Sequence, residues 1–403
     1  MNSFFILIIL FRCLIFSTQD EKLIFVMLHF RHGARAPTSI GETKIDKIGE
    51  YWESEGTLTG VGERMQYLLG LRNRLRYVKK YKFISEKYNS SEIRAICSFR
   101  ERSQQSLSSH LQGLYPPNEN LGENLNELQI SRSDPPVNIS DSTIEQKKKN
   151  LNNDSLPNSM VFILFERLDI LNLKSCRGSG SLNIPSVYNL VDEFNVKYKE
   201  KFNQFKGIER EDNYTFKELK DICNHFISDY VDGRKMTNFS TIFDLEEFYE
   251  YCLRQFEVAE GEIKITTNET EYAFGTYFME LLINYTKVKI DEDLGIINST
   301  NPKMLIVSGH DSTVNTQQFF MQLALGGSKE YFRNPTFTSQ MAFEIKRNDD
   351  DKKNRNYSDY FINYYFNDEL ILNMTVDEFF NIMEPHLLSS DQIKNVCGLS
   401  DNN

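Results

Sequence analysis

Two short apolar runs, one near each end of the chain, drive straight into polar clusters for which a buried strand has no use. The first is Leu23–Phe30 in "LIFVMLHFRHGARAPTS", rich in β-branched and aromatic residues and bounded by charge, which reads as a buried strand. It ends on Arg31, His32 and Arg35, with Gly33 and Pro37 shaping the bend. The second lies in "KMLIVSGHDSTVNTQQFFMQLAL", a strand that stops at His310 and Asp311 and leads into a helix. Strand, turn and helix at both ends of one chain point to an α/β sheet interrupted by an insertion. In open sheets of that class ligands bind beyond the C-terminal strand ends, so both clusters address one crevice.

Between the two runs the character of the chain changes twice. "LTGVGERMQYLLGLRNRLRYV" predicts a helix capped by Thr59, with Met65, Leu68, Leu69 and Leu75 on one face. A short strand near Ile93–Cys97 and a helix ending before Pro116 follow, the latter able to bring Arg102. Residues 118–150 are polar and loop-like. From Ser186 to Tyr285 charged and aromatic residues recur at helical spacing and predict a helical subdomain packed by its aromatic stripes. The expected organisation is a signal peptide over 1–18, a first α/β part over 19–120, a mainly helical cap over 121–284 and a second α/β part over 285–403.

The chain's 403 residues can bury a sizeable core, and its net charge of -11 excludes a nucleic-acid binder with a basic footprint. Any anion site must be a local arginine cluster. The opening "MNSFFILIILFRCLIFSTQD" reads as a secretory signal, although Arg12 and Cys13 interrupt it and leave an uncleaved anchor open. No later stretch is long and apolar enough to span a bilayer. Glycosylation sequons recur, from Asn89 to Asn373. Without Cys13 the cysteines are Cys97, Cys176, Cys223, Cys252 and Cys397, so two disulfides and one free thiol are the simplest arithmetic, with the pairing open. Their spacing matches no zinc site, and neither a metal nor a cofactor is expected.

A lone Arg-His pair at a strand end is usually a solvated turn, and a lone His-Asp usually a satisfied pair. Together, Arg31, Arg35, Arg102, His32, His310 and Asp311 offer guanidinium forks, imidazoles and one carboxyl around a single spot. Such forks suit phosphate or sulfate.

"RHGARAP" and "SGHDSTV" resemble the two signatures of the histidine acid phosphatases, the larger-insert branch of the histidine phosphatase superfamily. Arg31, His32, Gly33, Arg35 and Pro37 match the first, and His310 and Asp311 the second; "ERSQQSLSSHLQGLYPP" is similar to the segment carrying the family's third phosphate arginine, here Arg102. The resemblance implies a phosphoglycerate-mutase-like fold: a mixed, largely parallel sheet flanked by helices, with an inserted α-helical cap. It implies a secreted or lysosomal acid phosphatase acting on phosphomonoesters. His32 would be the nucleophile, Asp311 the general acid and base, and Arg31, Arg35, Arg102 and His310 the phosphate ligands. It also implies Cys176–Cys397 and Cys223–Cys252 disulfides with Cys97 free. A homodimer is an open expectation. Where the family carries a carboxylate near its third arginine this chain has Phe99, followed by the unusual Arg100. Because all core catalytic positions survive, hydrolysis is favoured over the rival reading of a phosphate-binding glycoprotein that kept the fold. Guanidiniums near His32 should hold it neutral in acid, giving an acidic optimum.

Overall fold

In the computed structural model β1 (Glu21–Arg31) runs through a six-stranded sheet with β2 (Ile93–Cys97), β3 (Met304–Gly309), β4 (Gln340–Asn348), β5 (Tyr360–Phe366) and β6 (Glu369–Thr375), in the order β2-β3-β1-β4-β5-β6. The structure describes residues 21–38, 52, 54–116, 135–138, 140–142, 144–145, 185–258, 268–298, 301–348 and 354–397. The expected signal peptide, residues 1–18, lies outside them, as does Cys176. β2, β3 and β1 are mutually parallel, whereas β4, β5 and β6 continue antiparallel from β1. The sheet is thus mixed as expected, and its parallel half carries the residues of interest.

β1 reads as one continuous apolar run because both of its faces are covered. Val26, Leu28 and Phe30 pack on one side with Leu68 and Leu69 of α1 (Gly60–Asn73) and Leu107 and Leu111 of α2 (Glu101–Leu114). Phe25 and Met27 pack on the other with Met279 and Leu282 of α7 (Asn268–Asp293) and Val314 and Phe320 of α8 (Asp311–Ala324). Thr59 caps α1, its hydroxyl accepting from the Gly62 N–H at 3.1 Å. The glycines of α1 let backbones touch: a Cβ on Gly62 would lie 2.1 Å from the Ala34 carbonyl oxygen, and one on Gly70 would lie 1.9 Å from that of His110. A methyl group on Gly62 would collide with the turn after β1, and one on Gly70 would push α1 away from α2.

The cap is helical, formed by α3 (Pro185–Lys197), α4 (Lys199–Lys206), α5 (Phe216–Val231) and α6 (Leu245–Glu257) around Phe194, Phe202, Phe226 and Phe248. The same apolar cluster reaches Ala34, Val61, Met65 and Phe337, which seats the cap over the end of the sheet. A Cys223–Cys252 disulfide ties α5 to α6. Residue 284, the expected end of the cap, falls inside α7, and that helix packs on the sheet as one continuous element. Its Phe278, Met279, Leu282 and Ile283 stripe looks like a cap stripe in sequence but meets the sheet core. α9 (Val376–Met383) and α10 (Ser390–Cys397) close the chain, and Cys397 is disulfide-bonded. Cys97 is free and buried, its thiol pushed up to about 12 by burial.

Candidate active site

The register of two parallel strands builds the site. Arg31 is level with Gly309, and the His32 N–H donates to the Gly309 carbonyl at 3.0 Å, so His32 and His310 emerge side by side from β1 and β3. Their rings meet edge-on with centroids 5.4 Å apart. The turn is held on three sides: Gln66 Nε2 donates to the Arg31 carbonyl at 2.8 Å, the Gly33 N–H to Ser106 Oγ at 3.1 Å and the Thr338 N–H to the His32 carbonyl at 3.1 Å. Thr338 makes that last bond from a left-handed conformation, φ 65°, uncommon for a β-branched residue and characteristic of functional sites.

All six residues expected at the site converge. His32 is 1 % exposed, and its Nδ1 lies 2.8 Å from the Gly33 carbonyl oxygen. Because a carbonyl can only accept, Nδ1 carries the proton and Nε2 keeps its lone pair. Burial first, then the charges of Arg102 and Arg31, His310 and Arg35, hold its pKa well below the usual value for histidine. Arg31 Nη2 pairs with Asp311 Oδ2 at 3.0 Å, and its Nη1 donates to the Pro335 carbonyl at 2.9 Å. Arg35 donates to Asn224 Oδ1 at 3.2 and 3.3 Å and to the Ala36 carbonyl at 2.9 Å. Arg102 Nη2 lies 3.5 Å from His310 Nδ1, and Ser98 Oγ lies 2.8 Å from His310 Nε2.

The site is short of negative charge. Burial and repulsion from Arg31 and Arg102 push Arg35 down to about 9; burial, against the pull of Asp311, brings Arg102 to about 10. Both stay cationic at neutral and acid pH. The Nε atoms of Arg31, Arg35 and Arg102 are buried without a hydrogen-bond partner among the described residues. A compact oxyanion would satisfy such donors and relieve the repulsion. Asp311, the first residue of α8, accepts from the Ser312 N–H at 2.7 Å and keeps 17 % of its side chain exposed, so it can exchange protons with water.

Phe99 does not displace Arg102. Its ring turns outward, 59 % exposed, and α2 starts from Arg100 without a side-chain cap, yet Arg102 still reaches His310.

Several site residues carry no local signal in the sequence. Asn224 comes from the cap and grips Arg35; Phe256 and Phe337 flank the Arg31 guanidinium with ring centroids 4.8 and 4.4 Å away. Thr313, one turn into α8, accepts from the His310 N–H at 2.9 Å and lies 3.2 Å from Nε2 of the buried His29. Its position three residues after His310, where a hydroxyl can brace a helix start, was the one clue available.

Comparison with known proteins gives the same picture. The family described as "Histidine phosphatase superfamily (branch 2)" matches residues 22–367. Lysosomal acid phosphatase of Xenopus laevis is 36% identical over 115 residues, covering 28% of this chain and 26% of that protein. Human prostatic acid phosphatase is 33% identical over 111 residues, 28% of each. These alignments span little more than a quarter of either relative. Among solved structures, Hafnia alvei phytase in complex with tartrate aligns over 94% of this chain and 99% of its own, with a TM-score of 0.55 and 13% identity. Citrobacter braakii phytase aligns over 92% and 99%, with a TM-score of 0.54 and 13% identity. At that identity the likeness is one of fold.

Proposed function

Because the chain belongs to the histidine phosphatase superfamily, branch 2, we propose that it is an acid phosphatase that hydrolyses phosphate monoesters in two steps through His32. In the first step Nε2 of His32 attacks phosphorus in line, the P–O bond to the leaving group breaks, and Asp311 gives its proton to the departing oxygen. In the second, water attacks the phosphohistidine, Asp311 takes the proton, and the P–N bond breaks to release inorganic phosphate. The guanidiniums of Arg31, Arg35 and Arg102, with the imidazole of His310, bind the non-bridging oxygens and offset the charge that builds on them in the transition state.

The observation that carries this reading is the His32 tautomer: the Nδ1 bond to Gly33 aims an unprotonated Nε2 into the cation cluster, and burial keeps it unprotonated in acid. Acid is also where Asp311 can hold the proton it must donate. The Cys223–Cys252 disulfide supports an oxidising compartment, the secretory lumen or outside. The sequon residues Asn89, Asn138, Asn213, Asn238, Asn284, Asn356 and Asn373 are exposed, which supports glycosylation there. The test is hydrolysis of an aryl phosphate at acid pH by wild type and His32→Ala. Turnover abolished in the variant supports the reading, and an inert wild type overturns it.

A further inference from the structure

β1 buries one side chain that its apolar run does not call for. His29 is fully buried on the face of β1 that carries Phe25 and Met27, with the ring of Phe278 from α7 centred 4.6 Å away. A buried imidazole costs free energy unless both nitrogens find partners, and an apolar residue would fill the space without that cost. Both partners come from α8. Gln317, also fully buried, turns its Nε2 toward Met279 Sδ at 4.0 Å, which leaves its Oε1 to accept from His29 Nδ1–H at 2.8 Å. Nε2 then keeps its lone pair and faces Thr313 Oγ1 at 3.2 Å. The Thr313 hydroxyl accepts from the His310 N–H at 2.9 Å, so its own proton is left to give. The His310 carbonyl lies 2.9 Å from the same hydroxyl, but it already accepts from the Thr313 and Val314 N–H groups at 3.2 and 3.1 Å. A chain of bonds thus runs from the His310 N–H through Thr313 to His29 and on to Gln317. Residue 309 is a glycine where the chain passes: a Cβ there would lie 2.2 Å from Thr313 Oγ1 and 3.1 Å from His29 Nε2.

We infer that His29 is a positioning residue, which through Thr313 sets where the turn of His310 and Asp311 stands relative to His32. The inference rests on the phosphatase reading and adds a residue to it. The parallel pairing of β1 with β3 levels the two strand ends only as far as Arg31 and Gly309. Beyond that point the backbone turns into α8, and Asp311 is its first residue. A bond from the strand that delivers His32 to the first turn of α8 fixes the angle of that turn. With it goes the distance from the Asp311 carboxyl to an ester oxygen, on which proton transfer depends steeply. Burial, against the Gln317 hydrogen bond, brings His29 down to about 4, so above that pH the ring is neutral and adds no further cation to the cluster.

The test uses three variants. His29→Leu/Gln317→Leu replaces both polar partners together, so that no buried amide is left unpaired and stability in urea should hold. His29→Gln carries an amide long enough to reach Thr313 as Nε2 does, whereas the shorter amide of His29→Asn stands where Nδ1 does and stops short of Thr313. In the double variant and in His29→Asn, kcat for glycerol 3-phosphate, whose alcohol must leave protonated, should fall about tenfold, the scale of one lost hydrogen bond. The loss should be much smaller for 4-nitrophenyl phosphate, and His29→Gln should keep most of the wild-type rate on both. Amide hydrogen exchange reads the turn without chemistry: residues 310–313 should exchange about tenfold faster in the double variant and in His29→Asn, while β1 and β3 exchange as in wild type. Should the double variant not fold, the comparison of His29→Asn with His29→Gln decides by the same readouts. Wild-type rates with unchanged exchange of the turn, or equal losses on the two esters, overturn the inference and leave the phosphatase intact. A wild type inert on both esters overturns the phosphatase, and the exchange rates then judge His29 by themselves.

Discussion

Asp311 Oδ2 lies 3.0 Å from Arg31 Nη2, a contact between residues from the two ends of the sequence that the parallel register of β1 and β3 brings together. The pair places the proposed proton donor against a guanidinium proposed to bind the phosphate. Asp311→Asn keeps the shape but cannot release a proton, and kcat should fall by about 10²–10⁴-fold for an alkyl phosphate. The loss should be much smaller for 4-nitrophenyl phosphate, whose leaving group departs without protonation. Steady-state kinetics on the two esters checks this, and equal losses would remove the general-acid role.

Asn224 is the cap's hydrogen-bonding hold on Arg35. Asn224→Ala should weaken competitive inhibition by inorganic phosphate by roughly tenfold, the scale of one hydrogen bond to a charged group. The readout is Ki at fixed pH. An unchanged Ki would mean that Arg35 keeps its aim without the cap.

α2 begins at Arg100, which offers no side-chain acceptor to the free N–H groups of the first turn and puts a positive charge at the positive end of the helix. Its extended backbone, φ -69° and ψ 131°, suits a capping residue. Arg100→Asp should stabilise the fold by about 1 kcal/mol, read as a higher midpoint in urea unfolding.

Burial pushes His29 down to about 4 and His110 and His310 to about 3. In the unfolded chain these histidines bind protons near pH 6.5, so between that pH and about 3 the unfolded state holds more protons. The stability they contribute is complete above pH 6.5 and is lost as the pH falls through that window. Each should contribute about 1 kcal/mol per pH unit to the slope. His110→Phe should flatten the slope between pH 4 and 6 by that amount. Urea unfolding across the range measures it, and an unchanged slope would mean that His110 titrates normally in the fold.

How much of this could be read from the sequence depends on how locally each feature is written. β1 and β3 were legible because continuous apolar runs, covered on both faces, stop at an abrupt charge cluster. Arg31, His32 and Arg35 share one turn, and His310 and Asp311 another, so their joint chemistry needed only the two strands to be neighbours. The edge of the cap was harder. α7 repeats the aromatic spacing of the cap helices, and nothing in that spacing says whether the stripe meets a sheet or another helix. Asn224 and Phe337 reach the site only through tertiary packing, and Cys176, the expected partner of Cys397, lies outside the described residues.

The central claim is a covalent phosphohistidine on His32, and the stereochemical course at phosphorus tests it most directly. Hydrolysis of a chiral, isotopically labelled aryl thiophosphate in heavy-oxygen water reports how many in-line displacements occurred. Two displacements, His32 on phosphorus and then water on phosphohistidine, predict overall retention of configuration; inversion would mean that water attacks the ester directly and would contradict the account.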